Sequence, residues 1–243
     1  MRIATLILLG LLTASVSIGI AREVDSDIRD TAARIDYGWF TAELGLIIAA
    51  RDALQTGSGD PWKSYLHAYA SYRAAQLMQA QGVAIGPILD DCQGSADAAA
   101  SDKDVEVEAN VLQAACAALA AADEPLRSVF HQRRLRQALQ HAHSLEADNP
   151  RLLLVTYLYA RDTREGSQSA LEAILAAYRD PADRHAYPDW GQAEAVTELG
   201  ALRLESNDLR GARDLLEEAL ILAPDYSAAV QLRRRIQSPI ATD

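Results

Sequence analysis

The chain has 243 residues and a formal net charge of −11, and its large apolar content includes only two Phe and three Trp. Ala and Leu dominate that content, a composition suited to helices packed closely through small side chains. With a pI near 4.9 the chain has no general attraction for phosphate backbones or anionic lipid, which argues against nucleic-acid binding or peripheral membrane attachment as its main role.

The leading stretch MRIATLILLGLLTASVSIGIA carries one Arg, an apolar run centred on Leu6 to Leu12, and Gly19-Ile20-Ala21 as a small-x-small cleavage site. Residues 1–21 therefore read as a secretory signal peptide. The competing reading is an uncleaved anchor, because Ile3 to Ile20 approaches the length of a spanning helix. No Cys stands beside the cut, which argues against a lipoprotein anchor. The expected product is exported, periplasmic or secreted, with no membrane span after cleavage. In such an oxidising compartment Cys92 and Cys116 are a natural disulfide pair, the alternative being two unpaired core cysteines. Two Cys without a nearby His do not make a zinc site.

Strand signals are nearly absent and helical periodicity runs throughout. Residues 22–59 form an N-terminal helical segment, with Asp25 to about Gln55 as one long helix or two shorter ones, closed by Thr56-Gly57-Ser58-Gly59. Asp60 then caps a helix opened by Pro61, where the missing N–H costs nothing; it runs to about Gln81. Gly82 and Gly86-Pro87 precede a helix from about Ile88 to Ala100, and Ser101 to Asp104 turns into another over Val105 to Ala121. Cys92 and Cys116 lie at similar distances from that turn, so antiparallel neighbours would bring them level. Asp123-Glu124-Pro125 starts a helix ending near Glu146, and Asp148-Asn149-Pro150 one ending near Arg164. Further helices are expected over Gln168 to Arg179, Gln192 to Ser206, Leu209 to Leu222 and Ser227 to Gln237, with Asp180 to Trp190 as a longer connection and residues 238–243 as a tail. No low-complexity linker divides residues 60–237.

The last pair of helices carries the most informative pattern. Val196, Leu199 and Gly200 fall at the third, sixth and seventh positions after Ala193, and Ala212, Leu216, Ala219 and Pro224 follow at intervals of 12, 4, 3 and 5. Small residues at Gly200, Ala212 and Ala219 suit two helices that cross closely, while Val196, Leu199, Leu216 and Leu220 fill the space between neighbouring hairpins. Asn207 tolerates the left-handed conformation of a tight turn. This spacing resembles the tetratricopeptide repeat (TPR), with Arg203 in place of the usual aromatic and Asn207 in place of a turn glycine. Ala138, Ala142, Leu145 and Pro150 repeat the intervals, as do Ala170, Ile174 and Ala177 without the proline. The resemblance implies an all-α, right-handed superhelical array of three to five antiparallel hairpins, closed by a capping helix over Ser227 to Gln237 whose Arg233, Arg234 and Arg235 face water.

Residues with chemical potential fit no catalytic pattern. His141 and His143 are two apart and diverge by about 200° on a helix, so they cannot converge on one metal. His131 lies in the basic run HQRRLR and reads as part of a solvated face; His67 and His185 sit among aromatics and read as packed. Asp90-Asp91 and Glu217-Glu218 diverge as adjacent helical residues do. No phosphate loop, dinucleotide fingerprint, Gly-x-Ser-x-Gly or His-Glu-x-x-His occurs. No cofactor or metal is expected.

Trp62, Tyr65, Tyr69 and Tyr72 form a one-sided stripe that serves either as core between the first helices or as a surface for stacking on a ligand. The family resemblance implies a protein partner held by residues flanking the packed positions of the first helices. On the best-matched unit these are Glu194, Thr197, Ala201, Leu204 and Glu205, and on the middle unit Tyr157, Arg161 and Arg164. The expected function is a non-enzymatic scaffold that binds a polypeptide in a concave groove, with possible self-association. The alternative is an exported hydrolase or a small-molecule or glycan binder using residues 60–72, with Asp60 or His67.

Overall fold

Side-chain capping marks where three of the helices begin. Asp60 accepts hydrogen bonds from the backbone N–H groups of Trp62 at 3.0 Å and Lys63 at 3.4 Å, directly before Pro61. Asn149 Oδ1 accepts from Arg151 N at 3.0 Å and Leu152 N at 3.1 Å, and Asp208 Oδ1 from Gly211 N at 2.9 Å. The computed structural model describes residues 26–54, 59–159, 167–180 and 188–237. The leader segment and the tail lie outside the described residues, as does His185.

The described residues form helices α1 (Ser26–Phe40), α2 (Leu44–Ala53), α3 (Pro61–Ala80), α4 (Gly86–Ala99), α5 (Glu106–Asp123), α6 (Ser128–Leu145), α7 (Pro150–Tyr159), α8 (Ser167–Tyr178), α9 (Gln192–Glu205), α10 (Leu209–Leu222) and α11 (Ser227–Gln237). A short 3-10 turn, Pro125–Arg127, leads into α6. There is no strand among the described residues, and no described helix is long and apolar enough to cross a membrane. Successive helices pair as hairpins, α1 with α2 through α9 with α10, and α11 covers the last of them. Within the stack α1 packs on α3, α3 on α5 and α5 on α7, so the first helices of the first four hairpins form one layer.

The last hairpin is built as its spacing requires. Asn207 has φ 60°, in the left-handed region, at the turn between α9 and α10. A Cβ on Gly200 would stand 3.2 Å from Leu216 Cδ2, so the small residue permits the close crossing. The same device recurs in the first hairpin, where a Cβ on Gly38 would lie 2.8 Å from Ile47 Cγ1. The described helices of the segment set apart in the sequence reading, α1 and α2, thus form a hairpin of their own that stacks on α3.

Cys92 on α4 and Cys116 on α5 are disulfide-bonded, fully buried, with Cα atoms 6.3 Å apart. Two sequence expectations are corrected. His131 is 8% exposed rather than on a solvated face, because it continues backward by one turn the buried stripe Leu135, Ala138, Leu139 and Ala142 of α6. On α11, Arg234 and Arg235 are exposed but Arg233 is half-buried.

Candidate functional site

The α3 sequence PWKSYLHAYASYRAAQLMQA places aromatic residues at helical spacing and an Arg among them. Tyr65, Tyr69 and Tyr72 are at most 1% exposed, so their rings belong to the core, yet each hydroxyl reaches a polar partner on another element. The Tyr69 hydroxyl donates to Asp36 of α1 at 2.5 Å. The Trp190 indole N–H donates to the Tyr65 hydroxyl at 2.8 Å, and the Tyr72 and Tyr159 hydroxyls share a hydrogen bond at 2.9 Å. Gln76 Nε2 donates to both Tyr72 and Tyr159, at 3.0 and 3.1 Å.

Arg73, only 2% exposed, organises this cluster. Its Nε donates to Tyr69 at 3.1 Å, its Nη1 to Gln76 Oε1 at 3.1 Å, and its Nη2 to Glu194 of α9 in a buried ion pair. The guanidinium lies 4.6 Å from the Trp39 ring centroid and 5.1 to 5.3 Å from those of Tyr69, Trp190 and Tyr72. A flat, weakly hydrated cation suits such a position better than an ammonium. Burial pushes the Asp36 carboxyl up to about 7 against the opposing pull of Tyr69 and Arg73. Burial also holds the Tyr69 and Tyr72 hydroxyls neutral, well above their ordinary range.

These contacts join α3 to α9 and close part of the inner side of the stack. Tyr69 stacks on Trp190 with centroids 5.4 Å apart, and Phe40 at the end of α1 meets Tyr226 before α11 at 5.0 Å. A cavity of about 350 Å³ lies beside them. Its walls are Trp39 from α1, Tyr72, Arg73 and Gln76 from α3, Leu154, Leu158 and Tyr159 from α7, Trp190, Glu194 and Glu198 at α9, and Tyr226, Ser227 and Ala228 at α11. Two enclosed polar atoms on these walls have no protein partner, Glu194 Oε2 and Trp39 Nε1.

Of the residues named from the sequence, Glu194 lines this cavity and Tyr72 of the aromatic stripe forms part of its wall. Thr197 is 4% exposed and donates to the Ala193 carbonyl at 2.7 Å, leaving its hydroxyl occupied within its own helix. Ala201, Leu204 and Tyr157 are half-buried and Glu205 is exposed; Arg161 and Arg164 lie outside the described residues. Asp60 serves as a helix cap, and His67 shares a 2.8 Å hydrogen bond with Ser95, its basicity lowered first by burial and then by Arg51. Trp62 packs edge-on against Tyr65. His141 pairs with Glu106 at 2.9 Å. Among the described residues no group of three or more His, Cys, Asp or Glu is placed to hold a metal ion.

Sequence reasoning passed over Trp39, Arg73, Gln76, Trp190, Glu198 and Tyr226. The available signal was Arg73 itself, a charge inside an Ala- and Tyr-rich helix with no opposite charge one turn away, which requires a partner from elsewhere in the fold.

No protein-family model matches the sequence, and no curated protein matches it. Among solved structures the chain is similar to a thermophilic TPR protein of Thermus thermophilus, at 17% identity and a TM-score of 0.52, over 87% of this chain and 95% of that one. The fold is accordingly a TPR-like array of helical hairpins.

Proposed function

We propose that the protein is an exported, non-enzymatic scaffold that holds another polypeptide on the inner side of its helical stack, seating one partner side chain in the cavity between α3, α7, α9 and α11. The observation that carries this reading is the convergence of residues from α1, α3, α7, α9 and α11 on one aromatic-walled cavity of about 350 Å³. That volume is near the lower end of the roughly 300–1,000 Å³ of ligand sites, enough for one anchor side chain and not for a length of chain. A single buried anchor in an aromatic pocket, surrounded by weaker contacts, is how many interfaces concentrate their affinity. Ala201, Leu204 and Glu205 continue along α9 beyond the cavity, and Tyr157 lies on the neighbouring α7. Export is supported by the pattern of residues 1–21 and by the Cys92–Cys116 disulfide, which suits an oxidising compartment.

The test is site-specific photo-crosslinking in the producing cell, with the reactive group at Leu158 or Ala201 and a control at Glu217, exposed on α10. A discrete polypeptide is expected at the first two positions, absent at Glu217, and lost when Ala228→Trp fills the cavity. Equal labelling at all three positions, or labelling unaffected by Ala228→Trp, contradicts the reading. The small volume of the cavity and its Tyr72 wall favour one second reading, a site for a small molecule. A metabolite or glycan that raises the melting temperature saturably, in the absence of any crosslinked polypeptide, would establish it.

A further inference from the structure

We infer that the group this cavity accepts is a cation, the side chain of a Lys or Arg presented by the partner. The inference rests on the polypeptide reading above and specifies its chemistry. Three charged residues line the cavity, Arg73, Glu194 and Glu198, so its lining carries a net charge of −1. Arg73 is already engaged: each of its three nitrogens donates to Tyr69, Gln76 or Glu194, and its guanidinium lies over the rings of Trp39 and Tyr69. The carboxylate of Glu194 is only half used. Its Oε1 accepts from Arg73, while Oε2 is enclosed without a partner on a residue 8% exposed. A buried carboxylate oxygen left in that state is costly, and a donor brought by a ligand relieves the cost.

The rest of the wall fits the same class. Tyr159 and Tyr226 add aromatic rings to the wall beyond those of Trp39, Tyr72 and Trp190 that face the Arg73 guanidinium, and ring faces attract cations. Leu154 and Leu158 offer an apolar surface for the methylene stem of a Lys or Arg whose charged head turns toward Glu194 and Glu198. An acidic side chain would meet two carboxylates, and an apolar one would leave Glu194 Oε2 unpaired. Glu198, exposed one turn beyond Glu194 on α9, places negative charge at the cavity's outer side.

The test is titration of the purified protein with blocked tripeptides Gly-Lys-Gly, Gly-Leu-Gly and Gly-Glu-Gly and with choline, following the indole N–H resonances. Trp39 and Trp190 line the cavity, whereas Trp62 does not and serves as an internal control. The Lys peptide is expected to move the Trp39 and Trp190 signals saturably, to leave Trp62 in place, and to bind at least about tenfold more tightly than the Leu or Glu peptide. Glu198→Gln, at an exposed position, is expected to weaken the Lys peptide by about two- to fivefold and to leave the Leu peptide unchanged. Choline binding as tightly as the Lys peptide upholds the cation class and moves its source to a small ammonium ligand; weaker choline binding assigns it to a polypeptide. A Leu or Glu peptide that binds as well as the Lys peptide, or the absence of any indole shift with the Lys peptide, overturns the inference. Either result leaves the crosslinking outcome untouched, so the cation preference and the scaffold reading fail separately.

Discussion

Replacing Arg73 tests the contact that closes the array. In Arg73→Met the stem volume is largely kept, but Glu194 is left in a site 8% exposed with neither of its oxygens paired. Stranding one member of a buried ion pair costs about 3–5 kcal/mol. Loss of the guanidinium from above Trp39 adds roughly 0.5–2 kcal/mol. A change of about 4 kcal/mol, with a urea m-value of about 2–3 kcal/mol/M, moves the unfolding midpoint down by about 1.5 M. The double variant Arg73→Met with Glu194→Gln removes both charges and is expected to lose less than about 2 kcal/mol, so it should be more stable than Arg73→Met alone by about 2 kcal/mol or more. The assay is urea unfolding followed by helical circular dichroism on the wild type, both single variants and the double. A single Arg73→Met within about 0.5 kcal/mol of wild type, or a double variant no more stable than the single, would refute the reasoning.

Other consequences follow from the same region and from the hairpin joint. Asp36 has its folded pKa raised from 3.8 to about 7, so the folded state binds a proton that the unfolded state has released across that interval. Stability is therefore fully present below about pH 4 and is lost as pH rises through 7, with a ceiling of roughly 4 kcal/mol for this group. Asp36→Asn is expected to match wild type near pH 4 and to exceed it at pH 8, read as melting temperature; equal pH profiles would contradict the burial of that carboxyl. Gly191 has φ 104°, and a Cβ there would run into the Tyr178 hydroxyl and come within 2.9 Å of Leu154 Cδ2. Gly191→Ala should therefore destabilise the protein by about 2–4 kcal/mol in thermal unfolding, a larger effect than Gly45→Ala, where nothing lies within 4 Å. The Cys92–Cys116 bond closes a loop with a sequence separation of 24, so replacing both by Ala is expected to cost about 3.5 kcal/mol in denaturant unfolding. No change on reduction would show that the two thiols are unbonded in solution.

What the sequence made legible is what local physics determines. Asp60-Pro61, Asn149-Pro150 and Asn207-Asp208 mark helix starts because capping and turn conformations depend on residues a few positions apart. Gly200 and Leu216 were readable as a close crossing because a hairpin partner is close in sequence as well as in space. The cavity was not legible for the opposite reason. Arg73 and Glu194 stand 121 residues apart, and the Tyr65–Trp190 bond spans 125. Such pairings depend on how distant hairpins are arranged in space, which no local pattern encodes. Likewise the stripe of Tyr65, Tyr69 and Tyr72 is core because Trp190, far along the chain, packs against it. His131 misled because a His between Phe130 and Gln132 in a basic run looks solvated until the register of α6 is known.

The most direct measurement is the structure of the protein bound to the polypeptide that crosslinks at Leu158. The account predicts a Lys or Arg side chain of that partner seated in the cavity, its stem against Leu154 and Leu158 and its charged head toward Glu194 and Glu198. A partner seated on the outer helices with the inner cavity empty would contradict it.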